Sequence, residues 1–417
     1  MLRLHLLFLS VLFLATALAG PIRQKQKRSF KIPRLRQANY VPNGKVAYRK
    51  ALFKFGFDDI TFQPNTAVAS KLQASTNTSI AATGDDEDGV TVANPSQGDS
   101  EFLSPVTVGG QTLVMDFDTG SSDMWVFNTN LAAADQKGHT IYDPTKSNAS
   151  SALTGSTFNI SYGDGSFASG PVGLDTVDIG GATVDAQAIG LPTDVSSSFV
   201  TNTFSNGLVG LAFSKLNTIK PTPQKTFFDN VMADLTQPLF TADLKSDSAG
   251  SYEFGQVDTS LFTGSLQTAA VDSSNGFWQV DSTSAVVSGQ TVNLEGGSAI
   301  IDTGTSLMLV SDELVVAYWD TVQGAQVNAE AGGVIFPCNA DLPDVQVAIG
   351  DNLATVSGAN MNFASVGSDS QTGQQFCFGG LQSNQGLEFS IYGDVFLRSQ
   401  FVVFDGSGPS ISVAPHS

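Results

Sequence analysis

The sequence predicts an all-β protein made of two similar halves. Glycine accounts for 41 of 417 residues, and Ser and Thr recur in short apolar–polar alternations, which is typical of short strands joined by turns. Segment 115–126, MDFDTGSSDMWV, is repeated in kind at 299–310 as AIIDTGTSLMLV. A glycine in an apolar stretch follows each copy, Gly210 at 92 residues after Asp118 and Gly393 at 91 residues after Asp302. This spacing indicates a duplicated half-domain.

The first 19 residues have the features of a secretory signal peptide. Arg3 precedes an apolar run, and Ala17-Leu18-Ala19 forms a small-residue cleavage site before Gly20. A membrane anchor is the rival interpretation, but the run is shorter than the roughly 20 residues that a span needs. We therefore expect a secreted, extracellular protein with no membrane partner.

Charge is distributed unevenly along the chain. Between Gly20 and Gly84 twelve Lys or Arg face two Asp, whereas from Asp86 onward seven Lys or Arg face thirty-six Asp or Glu. A basic segment of this kind could bind nucleic acid. Because the protein is expected to be exported, we do not expect nucleic acid as a partner. We predict a cationic pro-segment, residues 20–87, on an anionic body that works in acid, where protonation relieves self-repulsion. The polar stretch 71–92 suits an expendable junction or a solvated acidic loop.

Two cysteines, Cys338 and Cys377, lie in the last quarter of the chain. In an exported protein an isolated pair is expected to form one disulfide, and free thiols are the alternative. Closing a loop of this size stabilises a fold by about 4 kcal/mol on the chain-entropy estimate.

The repeated segments place one carboxylate each, Asp118 and Asp302, at the end of an apolar strand. Two carboxylates related by a pseudo-twofold axis can share one proton, so that one acts as base and the other as acid. The glycines two residues later allow a tight turn. Hydroxyl groups that follow can hydrogen-bond a carboxylate and fix its orientation, namely those of Ser121, Ser122, Thr305 and Ser306.

The sequence offers few residues for catalysis by histidine, by a metal ion or by a bound nucleotide. The chain contains three histidines, and His139, in the loop-like DQKGHTIYD, is interpreted as a surface residue. No HExxH motif, clustered His/Cys site, P-loop or dinucleotide fingerprint is found in the sequence. We therefore expect neither a metal nor a cofactor.

Together these motifs resemble the pepsin-like aspartic proteases, in particular the fungal aspergillopepsin and penicillopepsin group. The resemblance extends over essentially the whole chain. It implies a bilobal fold with a cleft between two pseudo-symmetric β lobes, residues 88–268 and 269–417, and a few short helices. It also fits the cysteine pair with the disulfide that the family carries in its second lobe. One departure is Ile391-Tyr392, where the family has two aliphatic residues, so a buried tyrosine hydroxyl needs a partner there.

The resemblance assigns roles to individual residues. It implies that Asp118 and Asp302 are the catalytic pair and that the chain is a zymogen of an acid endopeptidase acting on extended polypeptides. Orienting roles fall to Thr119, Ser121, Trp125 and Thr303. Substrate-binding roles fall to the flap tyrosine Tyr162, to flap residues Gly163 and Asp164, and, from below, to Gly120, Gly304 and Thr305.

Substrate preference rests on a smaller set of residues. Phe199 and Leu208 align with the family pocket for the residue preceding the cut, with core packing as the alternative. Alternation along a strand puts Asp116 on the same side as Asp118. Asp164 lies at the flap position, where an acid in the fungal relatives goes with acceptance of lysine. The resemblance therefore implies some cleavage after lysine, beside a broad hydrophobic preference.

The segment YRKALFKFGF, 48–57, resembles the stretch whose lysine reaches the dyad in zymogens, and Lys54 is the candidate. A basic helix that only assists folding is the alternative. The family spacing puts the cleavage point between about residue 80 and residue 92. Segments 226–237 and 311–324 are predicted to be packing helices. Sequons for N-glycosylation occur at Asn77, Asn148 and Asn159. We expect the protein to be a monomer. A silent pepsin-like binder and a glycosidase with paired carboxylates are the rival functions, but all expected motif residues are present.

Overall fold

The computed structural model describes residues 27–33, 41–55, 68–69, 72, 80–81, 103–162, 166–245, 250–294 and 297–417. The predicted signal peptide, the flap residues Gly163 and Asp164, the sequon at Asn77 and most of the predicted junction lie outside these residues.

Short strands make up most of the described chain. Those up to the middle of the sequence are β1 (Phe30–Pro33), β2 (Ile80–Ala81), β3 (Leu103–Val108), β4 (Gln111–Asp118), β5 (Met124–Val126), β6 (Ser151–Ser161), β7 (Phe167–Ile179), β8 (Ala182–Gly190), β9 (Asp194–Val195), β10 (Gly207–Gly210), β11 (Leu239–Asp243) and β12 (Ser251–Phe254). The later strands are β13 (Gln267–Asp272), β14 (Gln279–Asp281), β15 (Ser284–Val287), β16 (Gln290–Asn293), β17 (Ser298–Ile301), β18 (Met308–Val310), β19 (Gln326–Asn328), β20 (Gly333–Pro337), β21 (Val345–Ile349), β22 (Asn352–Val356), β23 (Asn362–Asp369), β24 (Gln375–Gly379), β25 (Leu381–Ser383), β26 (Ser390–Tyr392), β27 (Gln400–Asp405) and β28 (Ser410–Pro415).

The helices are short. They are α1 (Gly44–Lys54), α2 (Ser197–Thr201), α3 (Phe227–Val231), α4 (Asp312–Trp319) and α5 (Asp394–Leu397), with 3₁₀ turns at Pro144–Lys146, Ser214–Leu216, Met232–Asp234 and Gly358–Met361. The two predicted packing helices are confirmed as α3 and α4, although each α-helix ends earlier than predicted. The first tightens into a 3₁₀ turn, and the second is followed by turns leading to Gly324, whose φ is +81°. No helix in the described part of the chain is long and apolar enough to cross a membrane.

In the part of the chain that the structure describes, four sheets build two lobes around a shared centre. The first lobe is the sheet β3-β4-β10-β5-β8-β7-β6, which closes on itself because β3 also pairs with β7. The second lobe contains β16-β15-β21-β22 and β19-β20-β24-β23-β2. An 11-stranded sheet joins them in the order β1-β12-β11-β27-β28-β13-β14-β17-β26-β18-β25. The all-β, two-lobed prediction is confirmed. The predicted boundary at 268 falls within β13, and the division into four segments stays a prediction.

The duplication is visible as two matching three-strand units. In the first, β10 lies parallel to β4 and antiparallel to β5; in the second, β26 lies parallel to β17 and antiparallel to β18. The repeated glycines follow from close packing in these units. A Cβ at Gly210 would lie 2.7 Å from Ser121 O, and one at Gly393 would overlap Thr305 O.

The described part of the predicted pro-segment packs on the body. Strand β1 pairs antiparallel with β12 at the edge of the large sheet, and Ile32 is buried in the main core. Helix α1 begins at the cap Asn43, whose Oδ1 accepts a hydrogen bond from Val46 N–H at 3.1 Å. Its Tyr48 and Leu52 are buried against apolar residues of the second lobe. Burial of this face leaves the end of α1 pointing toward the junction of the two lobes.

Candidate active site

Two buried carboxylates meet where the two matching units face each other. Asp118 is the last residue of β4, and Asp302 directly follows β17. The preceding strands are anchored by fully buried apolar side chains, including Phe117 and Ile301. Both aspartates are at most 1% exposed. The strands therefore hold the two carboxylates at the centre of the molecule rather than at its surface.

The two loops that carry the carboxylates are cross-linked through their threonines. Thr119 N–H donates to Thr303 Oγ1 at 3.1 Å, and Thr303 N–H donates to Thr119 Oγ1 at 2.9 Å. Each hydroxyl in turn donates to the opposite strand, Thr119 to Ile301 O at 2.8 Å and Thr303 to Phe117 O at 2.6 Å. A buried network in which every member is satisfied is rigid. It fixes the position of one loop relative to the other.

Glycines allow the loops to approach each other. Gly120 N–H donates to Asp118 Oδ1 at 2.8 Å, and Gly304 N–H donates to Asp302 Oδ1 at 3.0 Å. A Cβ at Gly120 would lie 2.6 Å from Asp302 Oδ1, and one at Gly304 would overlap Asp118 Oδ1. Each glycine therefore leaves room for the carboxylate of the other loop.

The hydroxyls near the carboxylates do not all behave as predicted. Thr305 Oγ1 donates to Asp302 Oδ2 at 2.5 Å, and Ser121 is buried at the matching place in the first loop. The expectation for Ser122 is wrong, because its hydroxyl donates to Phe213 O at 2.6 Å. The chain turns after Gly120, so Ser122 points toward the 207–213 segment instead of the carboxylate.

Lys54, at the end of α1, lies between the two carboxylates. Its Nζ donates to Asp118 Oδ1 at 2.6 Å and to Asp302 Oδ1 and Oδ2 at 3.0 and 2.9 Å. The lysine side chain is only 7% exposed. Burial alone would lower the pKa of Lys54, but the two carboxylates outweigh burial and raise this pKa above its ordinary value.

The two carboxyl groups have different pKa values because their surroundings differ. Burial would raise the pKa of Asp118, but the charge of Lys54 outweighs burial and holds it below its ordinary range. Burial raises the pKa of Asp302, and repulsion by Asp118 adds to burial against the attraction of Lys54. The pair titrates as a unit in which one group accepts a proton more readily than the other.

An aromatic wall borders the pair on the side of the first lobe. Trp125 Nε1–H donates to Tyr162 Oη at 2.8 Å, and the Phe199 ring packs edge-on against both rings at centroid distances of 5.0 and 5.4 Å. Burial raises the pKa of Tyr162 well above its ordinary value. The strands that flank the predicted flap turn pair antiparallel, Ser161 opposite Phe167. The predicted hairpin is therefore present up to the turn.

A pocket opens from the carboxylates along this wall. Predicted residues that line the pocket are Lys54, Asp116, Asp118, Trp125, Tyr162, Phe199, Leu208 and Gly304. As the strand alternation predicts, Asp116 and Asp118 both face it. Among the described residues, no group of three or more His, Cys, Asp and Glu side chains could hold a metal ion.

Comparison with known proteins agrees with this geometry. The family model described as eukaryotic aspartyl protease matches residues 101–416. The chain belongs to this family. It is 51% identical over 407 residues to an aspergillopepsin A-like aspartic endopeptidase of Aspergillus fumigatus, covering 95% of this chain and 94% of the other. It is 50% identical over 407 residues to aspartic protease PEP3 of Coccidioides posadasii, covering 94% and 91%. With penicillopepsin-1 of Penicillium rubens it shares 48% identity over 328 residues, covering 78% and 81%.

The resemblance to the pepsin-like fungal aspartic proteases is thereby confirmed, and the protein is an aspartic endopeptidase of that family. The predicted disulfide is also present, joining Cys338 and Cys377. The departure at Tyr392 is resolved by Ser282, because the two hydroxyl oxygens lie 2.6 Å apart in the core. The buried tyrosine therefore has the partner that its hydroxyl requires.

Sequence reasoning missed several residues of this aspartic protease site. Lys50, Phe127, Asn202, Ser205 and Gly207 also line the pocket. The interpretation of His139 as a surface residue is wrong, because its ring is half-buried and stacked on Phe127. Stacking between residues 12 positions apart leaves no periodic signal in the sequence.

Asp123 was also not singled out. It is 1% exposed, and its carboxylate accepts hydrogen bonds from Thr218 N–H at 3.0 Å and Thr218 Oγ1 at 2.9 Å. Burial raises the pKa of Asp123 to about 6, despite these hydrogen bonds. The first active-site loop is thus joined to the 214–220 segment by a carboxyl group that changes charge in mild acid.

Proposed function

We propose that this aspartic endopeptidase is made as a secreted zymogen in which Asp118 and Asp302 are the catalytic pair and Lys54 blocks them until the pH falls. The observation that carries the proposal is the contact of Lys54 Nζ with both buried carboxylates at 2.6–3.0 Å. A lysine in that position occupies the place where an attacking water would have to bind.

In the proposed mechanism, one carboxylate of the pair takes a proton from a water held between them. The water oxygen attacks the scissile carbonyl carbon, while the protonated carboxyl of the partner donates its proton to the carbonyl oxygen. Collapse of the tetrahedral intermediate transfers a proton to the leaving nitrogen and restores one proton shared by the pair. Pepsin-like enzymes are the standard example of such a split pair. The threonine cross-links and the N–H groups of Gly120 and Gly304 support the mechanism by fixing both carboxylates.

The proposed inhibition by the pro-segment rests on the whole of α1. Tyr48 and Leu52 attach the helix to the second lobe, so Lys54 is delivered by a packed element. Lys50 lies one turn earlier and lines the pocket beside the pair. Acid protonates the carboxylates, which removes the attraction for Lys54 and loosens the arm. A helix that only assists folding would not require a lysine on the pair.

The proposed substrates are polypeptides held in extended form across the cleft. Leu208 and Phe199 give the pocket an apolar surface that favours hydrophobic residues before the cut. Asp116 in the same pocket, and Asp164 on the flap, favour some acceptance of lysine. The test is the ratio of cleavage after Lys to cleavage after Phe. If Asp164→Ser leaves this ratio unchanged, the role proposed for the flap acid is wrong.

Release from the cell, a monomeric state and glycans belong to the same proposal. The predicted signal peptide supports export, and Asn148 and Asn159 are exposed sequon residues. Strand β6 carries Asn159 close to the flap, so a glycan there would crowd the cleft.

The experiment is an acid shift on the purified full chain. The protein is held at about pH 7, moved to about pH 3.5, and followed for size and for haemoglobin digestion, with and without pepstatin. We expect loss of the pro-segment together with pepstatin-sensitive activity. A chain that stays intact and inactive, and is not processed by a trace of active enzyme either, would contradict the zymogen proposal.

A further inference from the structure

His139 joins the wall of the pocket to the rest of the first lobe. Its ring stacks on Phe127, with centroids 3.6 Å apart and planes 8° from parallel. Nδ1 lies 3.0 Å from Ser205 O, and Nε2 lies 3.1 Å from Val200 O. The imidazole therefore spans the two ends of the segment 200–205.

Both partners of this imidazole are backbone carbonyl oxygens, which can only accept hydrogen bonds. A neutral imidazole has one N–H and one lone pair, so it can satisfy only one of the two carbonyls. The imidazolium has two N–H groups and satisfies both. Its charge is also favoured by the face of the Phe127 ring. The geometry thus matches the charged form of His139.

The two segments that contact His139 carry no charge. The segment 196–206 and the stretch 124–128, which pack against the ring, contain no ionisable side chain. The charged residues nearby in sequence are Asp135 and Lys137, on the same turn as His139. The hydrogen-bond partners of the ring are the two carbonyl groups.

The bridged segment forms part of the pocket. Asn202 and Ser205 line it, and Phe199, one residue before the first bridged carbonyl, packs against the aromatic wall. Gly138, next to the histidine, also lies close to this segment, because a Cβ there would come within 2.7 Å of Thr203 Cγ2. His139 itself is not among the residues that line the pocket.

We propose that His139 is a positioning residue, which holds the pocket wall in place for large side chains by hydrogen-bonding the carbonyl groups of Val200 and Ser205. The inference rests on the proposed role of this pocket in substrate binding. Without the imidazole, both ends of the segment 200–205 lose their hydrogen bond to the rest of the first lobe.

The direct test is nitrogen NMR on the full chain labelled at its three histidines, with His139→Gln for assignment. We expect two exchange-protected N–H groups on His139, one for each carbonyl group that its ring faces. A single protected N–H would overturn the proposal. The N–H groups are counted in the unaltered protein, and the variant serves only to assign them.

Kinetics separate positioning from a general structural role. Two peptides that differ only in Phe or Ala before the cut are compared in acid-activated enzyme. We expect His139→Gln to raise KM for the Phe peptide by about tenfold, as for one lost charged hydrogen bond, with kcat and the Ala peptide nearly unchanged. His416→Gln is the control for loss of a partly buried histidine, because that ring faces Leu397 O at 3.0 Å and Asp243 Oδ1 at 2.9 Å, and neither His416 nor these partners line the pocket.

A variant of the pocket itself distinguishes the two levels of the proposal. If His139→Gln leaves the KM ratio of the two peptides unchanged while Phe199→Ala changes it, the pocket stands and the role of His139 is wrong. If neither variant changes the ratio, the proposed pocket fails and the inference fails with it.

Discussion

Replacing Lys54 by Met removes the positive charge that lies between the two active-site carboxylates. Its side chain is 7% exposed and donates three hydrogen bonds of 2.6–3.0 Å. Removing one partner of a buried ion pair costs about 3–5 kcal/mol, because the remaining charge is left without compensation. We expect the full chain to lose about this much free energy of unfolding near pH 7.

The size of this loss depends on pH. The pKa of Asp118 is lowered in the folded chain, so its contribution is present above the unfolded value of about 3.9 and is lost as pH falls through the folded value. Asp302, with a raised pKa, takes up its proton at a higher pH than Asp118 and weakens the ion pair first. Lys54 stays charged throughout. The difference between variant and wild type should therefore shrink as the pH approaches about 4.

The assay is urea unfolding at about pH 7 and pH 5, followed by tryptophan fluorescence, with the rate of pro-segment release measured in parallel. Arg49→Met is the control, because it removes one charge from the exposed face of the same helix. The ion-pair argument is refuted if two results coincide. The free energies of unfolding of Lys54→Met and Arg49→Met would agree within about 0.5 kcal/mol at pH 7, and both variants would release the pro-segment at the same pH.

Three further predictions follow from single contacts. The pKa of Asp123 is about 6 in the folded chain and about 3.9 in the unfolded chain. Its contribution to the free energy of unfolding is therefore complete below about pH 3.9 and is lost as the pH rises through about 6. In urea unfolding, Asp123→Asn should remove a change of about 3 kcal/mol in the free energy of unfolding between these pH values. Gly304→Ala would push a methyl into the first carboxylate, and we expect peptide hydrolysis to fall more than about 100-fold. Gly408→Ala is the control, because an added Cβ there meets nothing within 4 Å, and it should leave hydrolysis unchanged. Equal rates of hydrolysis by the two variants would contradict the packing argument. Replacing Cys338 and Cys377 by Ser should lower the free energy of unfolding by about 4 kcal/mol, whereas an unchanged urea midpoint would show that the loop closure contributes nothing.

The sequence predicts the parts of this site that repeat. Two apolar strands ending in Asp-Thr-Gly, with matching glycines about 90 residues later, are enough to place two similar units face to face. The close approach at Gly120 and Gly304 is also predictable, because only glycine leaves room for the carboxylate of the other loop. Both features are local patterns written twice, which is why a single sequence reveals them.

The remaining features depend on contacts between distant segments. In the large sheet, β1 pairs with β12 and β11 pairs with β27. The sequences of these strands do not predict which strand each one pairs with. The direction of Ser122 and the stacking of His139 on Phe127 are likewise set by the tertiary fold. The bridge from His139 to residues 200 and 205 joins segments more than 60 positions apart, and a lone histidine in a polar loop gives no sign of it.

The most direct test of the catalytic pair is hydrolysis by Asp118→Asn and Asp302→Asn, each processed by a trace of wild-type enzyme that is then removed. Each substitution removes one proton acceptor while keeping the size of the side chain. We expect each variant to fold, with an unchanged circular dichroism spectrum, and to lose more than about 10³-fold in kcat, since acid and base must act together. Near-normal turnover by either folded variant would contradict the account.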